Sequence, residues 1–217
     1  MNKALLATVA ALLGATAAHG TEVLSFGQSG AGTSPITGTE SGGITTIMAT
    51  DAPVSVTSCL LCSTIIGPET LTLNVHSVGP AFMFHGFVVQ NFSGTFQIMS
   101  GSGQDVLSGT FNDATFGAGT SLTLSASNAM VGEMLSLNST VMPTSELGSP
   151  KAMSLSLADV TPLVGVTDGS LSSFTGSVAG TFSASPVSVP EPSTLPLLML
   201  GLGVAGVYTL ARRRRRK

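Results

Sequence analysis

Leu71-Thr72-Leu73-Asn74-Val75-His76 alternates apolar and polar residues without interruption, and this stretch decides the fold class. A period of two places all the apolar side chains on one face of a β-strand. The same alternation recurs at residues 122–125 (LTLS) and 153–157 (MSLSL). Turn signals such as Gly101-Ser102-Gly103 separate these segments, and no amphipathic helix pattern stands between them. The sequence therefore predicts a mainly β domain over residues 21–187, built as an antiparallel β-sandwich.

A short repeat falls inside this domain and indicates its core. The sequence reads SGTF at residues 93–96 and 108–111, and AGTF at residues 179–182. We interpret the three copies as equivalent strand positions, with the glycine where two sheets approach and the phenylalanine in the core. The largest candidate core side chains are Phe82, Phe84, Phe96, Phe111 and Phe182.

Two other segments of the domain lack strict alternation and are interpreted from their composition. Residues 82–89 are apolar at successive positions, which favours a central strand buried on both faces. Residues 25–43 are rich in Gly, Ser and Thr, and we expect a loop or a loose edge there.

Charge is scarce in the domain and almost all of it is negative. Residues 21–187 hold ten acidic residues and one base, Lys151, which gives a net charge of −9. A nucleic-acid partner is excluded for this part, since binding phosphates needs clustered Lys and Arg. The acids are scattered singly, without the close carboxylate pair of a glycosidase or the register of a calcium loop.

The first twenty residues have the pattern of a secretory signal peptide. Lys3 supplies the positive start, residues 4–13 form an apolar run too short to span a bilayer, and small residues follow. We therefore expect residues 1–20 to be removed by signal peptidase after export through Sec-type machinery. The domain that follows becomes an ectodomain outside the cytoplasm.

The C-terminal end has the pattern of a single transmembrane helix. Residues 195–210 carry no charge, and as a helix they would cover about 24 Å, somewhat less than a hydrocarbon core of about 30 Å. Ala211 and snorkelling of the first arginine make up part of the difference, so the helix is predicted at residues 195–211. Six bases then follow, namely Arg212, Arg213, Arg214, Arg215, Arg216 and Lys217. Bases beside a span stay on the cytoplasmic side, which agrees with an exported ectodomain and a transient inner-membrane anchor.

A tripeptide shortly before this helix gives the C-terminal end a recognisable pattern. Pro190-Glu191-Pro192, then the apolar segment, then the arginine cluster resembles the PEP-CTERM sorting signal of Gram-negative bacteria, over residues 188–217. The resemblance implies recognition through Pro190, Glu191 and Pro192 by an exosortase, a membrane-embedded transpeptidase-like enzyme. It also implies passage to the cell surface or to an exopolysaccharide matrix. A simple anchor with a stiff proline-containing linker is the alternative interpretation of the same residues.

The one cysteine pair, Cys59-Leu60-Leu61-Cys62, has three interpretations. In an exported protein a local disulfide is favoured, and it requires a turn, because residues i and i+3 of an extended strand lie too far apart. A redox-active pair would need a helix that follows a βαβ strand. Zinc would need two further ligands, and the candidates His76 and His85 match no finger spacing. We predict the disulfide, with no metal and no cofactor.

Two functional classes remain open for the ectodomain. The first is a non-catalytic surface or matrix protein, with exopolysaccharide or biofilm matrix as the candidate partner. The second is a secreted hydrolase delivered by the same signal. The ectodomain has no Trp or Tyr and no G-x-S-x-G nucleophile elbow, which weakens both sugar stacking and a hydrolase site. We therefore expect that the protein is not an enzyme.

Overall fold

The ectodomain consists almost entirely of strands. The computed structural model describes residues 20–30, 36–62 and 68–186. Its strands are β1 (Thr21–Gln28), β2 (Ile36–Ser41), β3 (Ile44–Cys59), β4 (Glu69–Ser77), β5 (Phe82–Phe84), β6 (Phe87–Ser100), β7 (Asp105–Ala118), β8 (Ser121–Ser127), β9 (Met134–Asn138), β10 (Leu147–Thr161), β11 (Val166–Thr167), β12 (Ser170–Leu171) and β13 (Phe174–Pro186). A single turn of 3-10 helix, Thr144–Glu146, precedes β10. The prediction of a mainly β, antiparallel ectodomain is confirmed.

Eleven of these strands form one sheet, and eight of them close it into a ring. The order around the ring is β6, β4, β3, β1, β13, β10, β8 and β7, and β7 pairs again with β6. All of these pairs are antiparallel. Strands β2, β5 and β9 pair at the margins of the ring, while β11 and β12 form a separate hairpin. We call the eight-strand ring the closed sheet.

The closed sheet differs from the two separate sheets of the predicted sandwich. Alternation along a strand indicates which side chains point inward. The same alternation occurs in a sandwich and in a sheet that closes on itself, so it does not distinguish the two. The difference comes from pairings between strands far apart in the chain, above all β1 with β13. These pairings leave no break at which two sheets could be distinguished among the described strands.

The alternating segments behave as their sequence predicts. In β4, Leu71, Leu73 and Val75 are buried, whereas Asn74 and His76 are exposed. The segments at residues 122–125 and 153–157 lie in β8 and β10 and bury their apolar residues in the same way. One continuous cluster of buried side chains fills the interior of the closed sheet.

The SGTF repeat occupies equivalent places in the core, as predicted. Phe96 of β6, Phe111 of β7 and Phe182 of β13 are each at most 2% exposed. In the β6–β7 pair, Gly94 lies opposite Phe111, and Gly109 lies opposite Phe96. A Cβ on Gly109 would lie 2.9 Å from the Phe96 ring, whereas one on Gly94 would meet the backbone of Asn74 and Val75 in β4.

These rings continue into a row that crosses the interior. The Phe96 ring stacks on that of Phe182 with centroids 4.9 Å apart, and Phe111 lies on the other side of Phe96 at 6.5 Å. Phe26 of β1 extends the row beyond Phe182 at 6.3 Å. The row joins β1, β13, β6 and β7, so aromatic packing fills the middle of the closed sheet.

Two segment predictions were wrong. Residues 82–89 are not a central strand: they form the β5–β6 hairpin, whose members Phe82 and Phe84 are more than half exposed. Residues 25–43 are not mainly loop, because β1 lies inside the sheet between β13 and β3 and buries Phe26. Both errors arose because short-range composition cannot show which strands become neighbours.

The strand register defines two ends of the closed sheet. At one end, Thr21 of β1 lies opposite Ala184 of β13, and Pro186 lies opposite Leu147 at the start of β10. We call this the exit end, since the described part of the chain both begins and finishes there. At the other end lie the β5–β6 hairpin and the turn between β7 and β8. We call this the hairpin end.

Several predictions concern residues outside those that the structure describes. They are the signal peptide at 1–20 (apart from its last residue), the helix at 195–211, Pro190, Glu191, Pro192 and Arg212 to Arg216. Among the residues that are described, no helix is long and apolar enough to cross a membrane.

Candidate functional site

The chain leaves the folded ectodomain at the exit end, directly before the residues singled out from the sequence. Strand β13 runs to Pro186 and is paired with β10 up to that last residue. The chain divides into two compact units between Pro186 and Val187. The ordered sheet therefore continues to within a few residues of Pro190, which leaves little linker between the ectodomain and the tripeptide.

Cys59 and Cys62 also lie at the exit end, and a disulfide joins them in the structure. Cys59 is the last residue of β3 and lies opposite Leu24. The chain then turns, with the Leu60 amide donating a hydrogen bond to the Val23 carbonyl at 2.9 Å. The two Cα atoms are 5.6 Å apart, which is a common separation for a disulfide. Both cysteines are partly buried and pack against the core. The disulfide therefore closes a turn at the exit end of the sheet.

The comparison with protein families addresses the C-terminal segment. Residues 188–216 match the family model for the PEP-CTERM protein-sorting motif. The chain carries a PEP-CTERM sorting signal. No curated protein and no solved structure matches the chain. The PEP-CTERM signal implies export to the cell surface and processing by an exosortase. Pro190, Glu191, Pro192 and Arg212 to Arg216 fall within the match, and their individual roles stay predictions.

The two histidines of the ectodomain lie on different elements and are both exposed. His76 is exposed near the end of β4, and His85 is exposed in the turn of the β5–β6 hairpin. His85 has a φ of +50° and lies in the turn itself, so it is not part of the buried strand predicted at residues 82–89. Within residues 20–30, 36–62 and 68–186, no three His, Cys, Asp or Glu side chains are grouped closely enough to hold a metal ion.

A groove whose lining includes two serine hydroxyls lies on the outer wall near the hairpin end. It has a volume of about 670 Å³ and lies over β1, β10 and β13. Its polar side chains are those of Gln28, Ser156, Asp159 and Ser177, and the Ser177 hydroxyl donates to the Ala158 carbonyl at 3.2 Å. Asp159 is the one carboxylate of its lining. Glycoside hydrolysis ordinarily uses two carboxylates that flank the bond, so this groove lacks the required pair.

A cluster of buried polar side chains at the hairpin end was missed in the sequence. Thr45, Ser77, Gln90 and Ser170 are each at most 8% exposed. The Gln90 amide nitrogen donates to the Gly79 carbonyl and to the Ser170 hydroxyl, both at 2.8 Å, and its oxygen accepts from the Leu171 amide at 2.9 Å. We call these four residues the polar cluster.

The partners of the polar cluster explain its place in the fold. The Thr45 hydroxyl lies 2.7 Å from that of Ser170 and donates to the Leu171 carbonyl, while the Thr45 amide donates to Ser77 at 3.0 Å. These bonds attach the β11–β12 hairpin, which we call the plug, to β3, β4 and β6. Every member is satisfied by protein partners, so the cluster is a structural connection.

Proposed function

We propose that this protein is an exported, non-catalytic surface or matrix protein, which an exosortase sorts through its C-terminal signal. The observation that carries the proposal is the PEP-CTERM match over residues 188–216. A precursor would be held in the inner membrane by residues 195–211, with Arg212 to Arg216 on the cytoplasmic side. Removal of residues 1–20 by signal peptidase and release by the exosortase then deliver the ectodomain to the surface or to an exopolysaccharide matrix.

The close junction between sheet and signal supports this assignment. Because β13 remains paired up to Pro186, the folded domain ends almost where the matched residues begin. Two prolines in Pro190-Glu191-Pro192 disfavour a helix, so we expect the exosortase to meet the tripeptide in an extended form. A membrane-embedded enzyme needs such an extended, accessible substrate at that level.

The chemistry of the described surface supports a non-catalytic ectodomain. The interior is filled by apolar side chains, and the hydroxyl-lined groove offers one carboxylate without a second acid or a histidine in its lining. Acid–base and nucleophilic mechanisms both require a partner within hydrogen-bond reach of the reacting group. Hydroxyl-rich outer faces remain for contact with the matrix.

The sorting step is tested by changing the tripeptide in the full chain. Replacement of Pro190, Glu191 and Pro192 by alanine should leave an uncleaved, membrane-retained precursor, because the enzyme loses its recognition element. Cell fractionation and mass measurement of the protein follow the outcome. A chain with alanine at Ser183, Ser185 and Val187, just outside the match, is the control and should mature as the parent does. If the tripeptide variant also matures and reaches the surface, the assignment is wrong.

A further inference from the structure

The β5–β6 hairpin exposes an unusual amount of aromatic surface. Phe82, Phe84 and Phe87 are 56%, 59% and 47% exposed, and Phe116 of the neighbouring strand β7 is 45% exposed. These four make up nearly half of the ten phenylalanines in the chain. Single exposed apolar residues are ordinary on protein surfaces, whereas a group of this size marks an interaction site.

The strand register places these side chains on one face. Phe84 lies opposite Phe87, and Phe82 lies opposite Val89. Val89 in turn lies opposite Phe116 across the β6–β7 pair. Directly opposed residues project to the same side of a sheet, as do residues two apart in a strand. The five residues Phe82, Phe84, Phe87, Val89 and Phe116 therefore form one continuous outer patch, which we call the aromatic ladder.

The fold itself does not require aromatic residues at these positions. The inward-facing positions of β6 here are Val88 and Gln90, which are 3% and 1% exposed and belong to the interior. The ladder lies on the opposite face and adds little to the core. The hairpin is nevertheless well defined, because His85 and Gly86 have φ of +50° and +88°, the values of a tight two-residue turn. A preformed surface binds a partner with less loss of conformational freedom.

Charge restricts what can cover the ladder. Residues 81–90 contain no acidic or basic side chain apart from the titratable ring of His85, while residues 21–187 carry a net charge of −9. An anionic membrane or an acidic polysaccharide would meet an acidic molecule with no cluster of bases near the patch. A saccharide site also needs convergent polar groups around its aromatic platform. The partner that fits is an uncharged apolar surface of the same kind.

We propose that the aromatic ladder is a self-association surface, through which two copies of this chain pair face to face about a twofold axis. A symmetric contact brings the same patch together from both copies, so each ladder covers the other. Glu22, Glu69, Asp105 and Glu146 lie at the exit end by the strand register, whereas Glu40, Asp159 and Asp168 lie towards the hairpin end but are not members of the ladder. The proposal does not depend on the sorting signal.

The size of the ladder determines how strong the dimer is. A whole phenylalanine side chain presents about 200 Å², so four half-exposed rings contribute roughly 400 Å² from each copy. The contact with its margins then buries about 1,000 Å² in total, at the lower bound for a specific interface. We expect a reversible dimer that forms at high local concentration, as in a surface coat, and dissociates on dilution.

Velocity sedimentation of residues 21–186 tests the proposal in solution, because this segment contains the complete closed sheet and its core. The parent should shift from monomer to dimer as its concentration rises. Exchange of Phe84 and Phe87 for serine should weaken the dimer at least about tenfold without changing the circular dichroism spectrum. The matched control exchanges Met130 and Leu163, which are 72% and 65% exposed outside the ladder, and should dimerise as the parent does.

A photo-crosslinking benzoylphenylalanine at position 84 tests the same contact in the full chain in cells. The expected product has twice the mass of the chain. A monomer at all concentrations, irregular aggregates in place of a dimer, or equal dimerisation of parent and ladder variant would each overturn the proposal. So would a crosslink to another protein or to a polysaccharide in place of the second copy.

Discussion

Glycine directly across from a buried phenylalanine is the recurring residue-scale device of this fold. It occurs at four cross-strand pairs: Gly94–Phe111, Gly109–Phe96, Gly180–Phe26 and Gly38–Phe174. Built onto Gly180 or Gly38, a Cβ atom would lie within 2.3 Å of the opposing phenylalanine ring. At these two glycines the phenylalanine ring occupies the space that a side chain would otherwise fill. Large rings can thus be packed into a small interior.

Gly94 shows a second reason for glycine in this sheet, the close approach of a neighbouring strand's backbone, and its replacement by alanine tests that reason. The added Cβ would lie 2.3 Å from the Asn74 carbonyl oxygen and 2.6 Å from the Val75 Cα, and backbone atoms cannot rotate away. We expect the free energy of unfolding to fall by about 2 kcal/mol or more, as measured by urea denaturation. Gly27 of β1 is the control, because nothing lies within 4 Å of its added Cβ. Equal losses in both variants would show that strand propensity, and not the close approach, is responsible.

The repeat also shows how far sequence reasoning reaches at this scale. The recurrence of SGTF correctly predicted that Phe96, Phe111 and Phe182 lie in the core, because the small residue next to a large one has a packing meaning. Phe82 and Phe84 were predicted beside them and are instead exposed. A buried phenylalanine and one exposed on the surface cannot be distinguished in the sequence, since both are apolar residues in a strand.

At the scale of elements, the plug is a short hairpin that owes its position to hydrogen bonds. β11 and β12 have two residues each, and such a hairpin is not stable alone. Gln90 of β6 and Thr45 of β3 hold β12 from two sides, and Leu171 beside them is buried. The plug is therefore held at the hairpin end by one buried apolar residue, Leu171, and by the hydrogen bonds of the polar cluster.

Exchange of Gln90 for leucine should release the plug. Leucine has a similar volume but removes three hydrogen bonds and leaves the buried Leu171 amide without its acceptor. We expect a loss of about 2–4 kcal/mol in the free energy of unfolding. Hydrogen exchange at the Leu171 amide should be faster than in the parent. Limited proteolysis should cut residues 163–173 more readily.

Gln97 provides the control for this exchange. It lies on the same strand but is exposed on the outer face, so replacing it with leucine should leave both measurements near those of the parent. Continued protection of the Leu171 amide in the Gln90 variant would contradict the structural role assigned to the polar cluster.

The elements differ in how well their sequences predict them. Residues 71–76 of β4 were predicted as a strand, because their strict alternation has one interpretation. The β5–β6 hairpin was not, since an apolar run without alternation fits a buried strand equally well, and the turn at His85-Gly86 is a weak signal. Strand β1 was hidden by the small residues around it. Its partner, β13, lies about 150 residues later, beyond the reach of local patterns.

At the scale of the whole molecule, closure of the sheet leads us to expect that the ectodomain folds by itself. The first of the described strands pairs with the last, and the described apolar cluster lies within residues 20–186. Every strand of the ring has a neighbour on both sides, so the ring has no long open edge among the described residues. The sequence predicted the class and the direction of pairing, while closure depended on long-range contacts.

Residues 21–187 should therefore fold without the sorting signal. We expect a β-type circular dichroism spectrum and a single cooperative thermal transition, because the segment buries a complete core. A helical or unfolded spectrum would refute the independent fold. The same sample should hydrolyse no member of a polysaccharide, ester and peptide panel. Hydrolysis that disappears when His76 or His85 is changed would establish an enzyme instead.

Strand β13 has a mechanical consequence, since it is both the last strand and the strand that leads to the sorting signal. A pull applied at Pro186 along the strand loads its pairing with β10 on one side and with β1 on the other at the same time. Such a load shears many hydrogen bonds together, whereas a strand at an open edge would be peeled off one bond after another. Resistance to force depends on the rate of unfolding, and the shear geometry slows that rate. A protein tethered at this point would stay folded under the drag of flowing liquid.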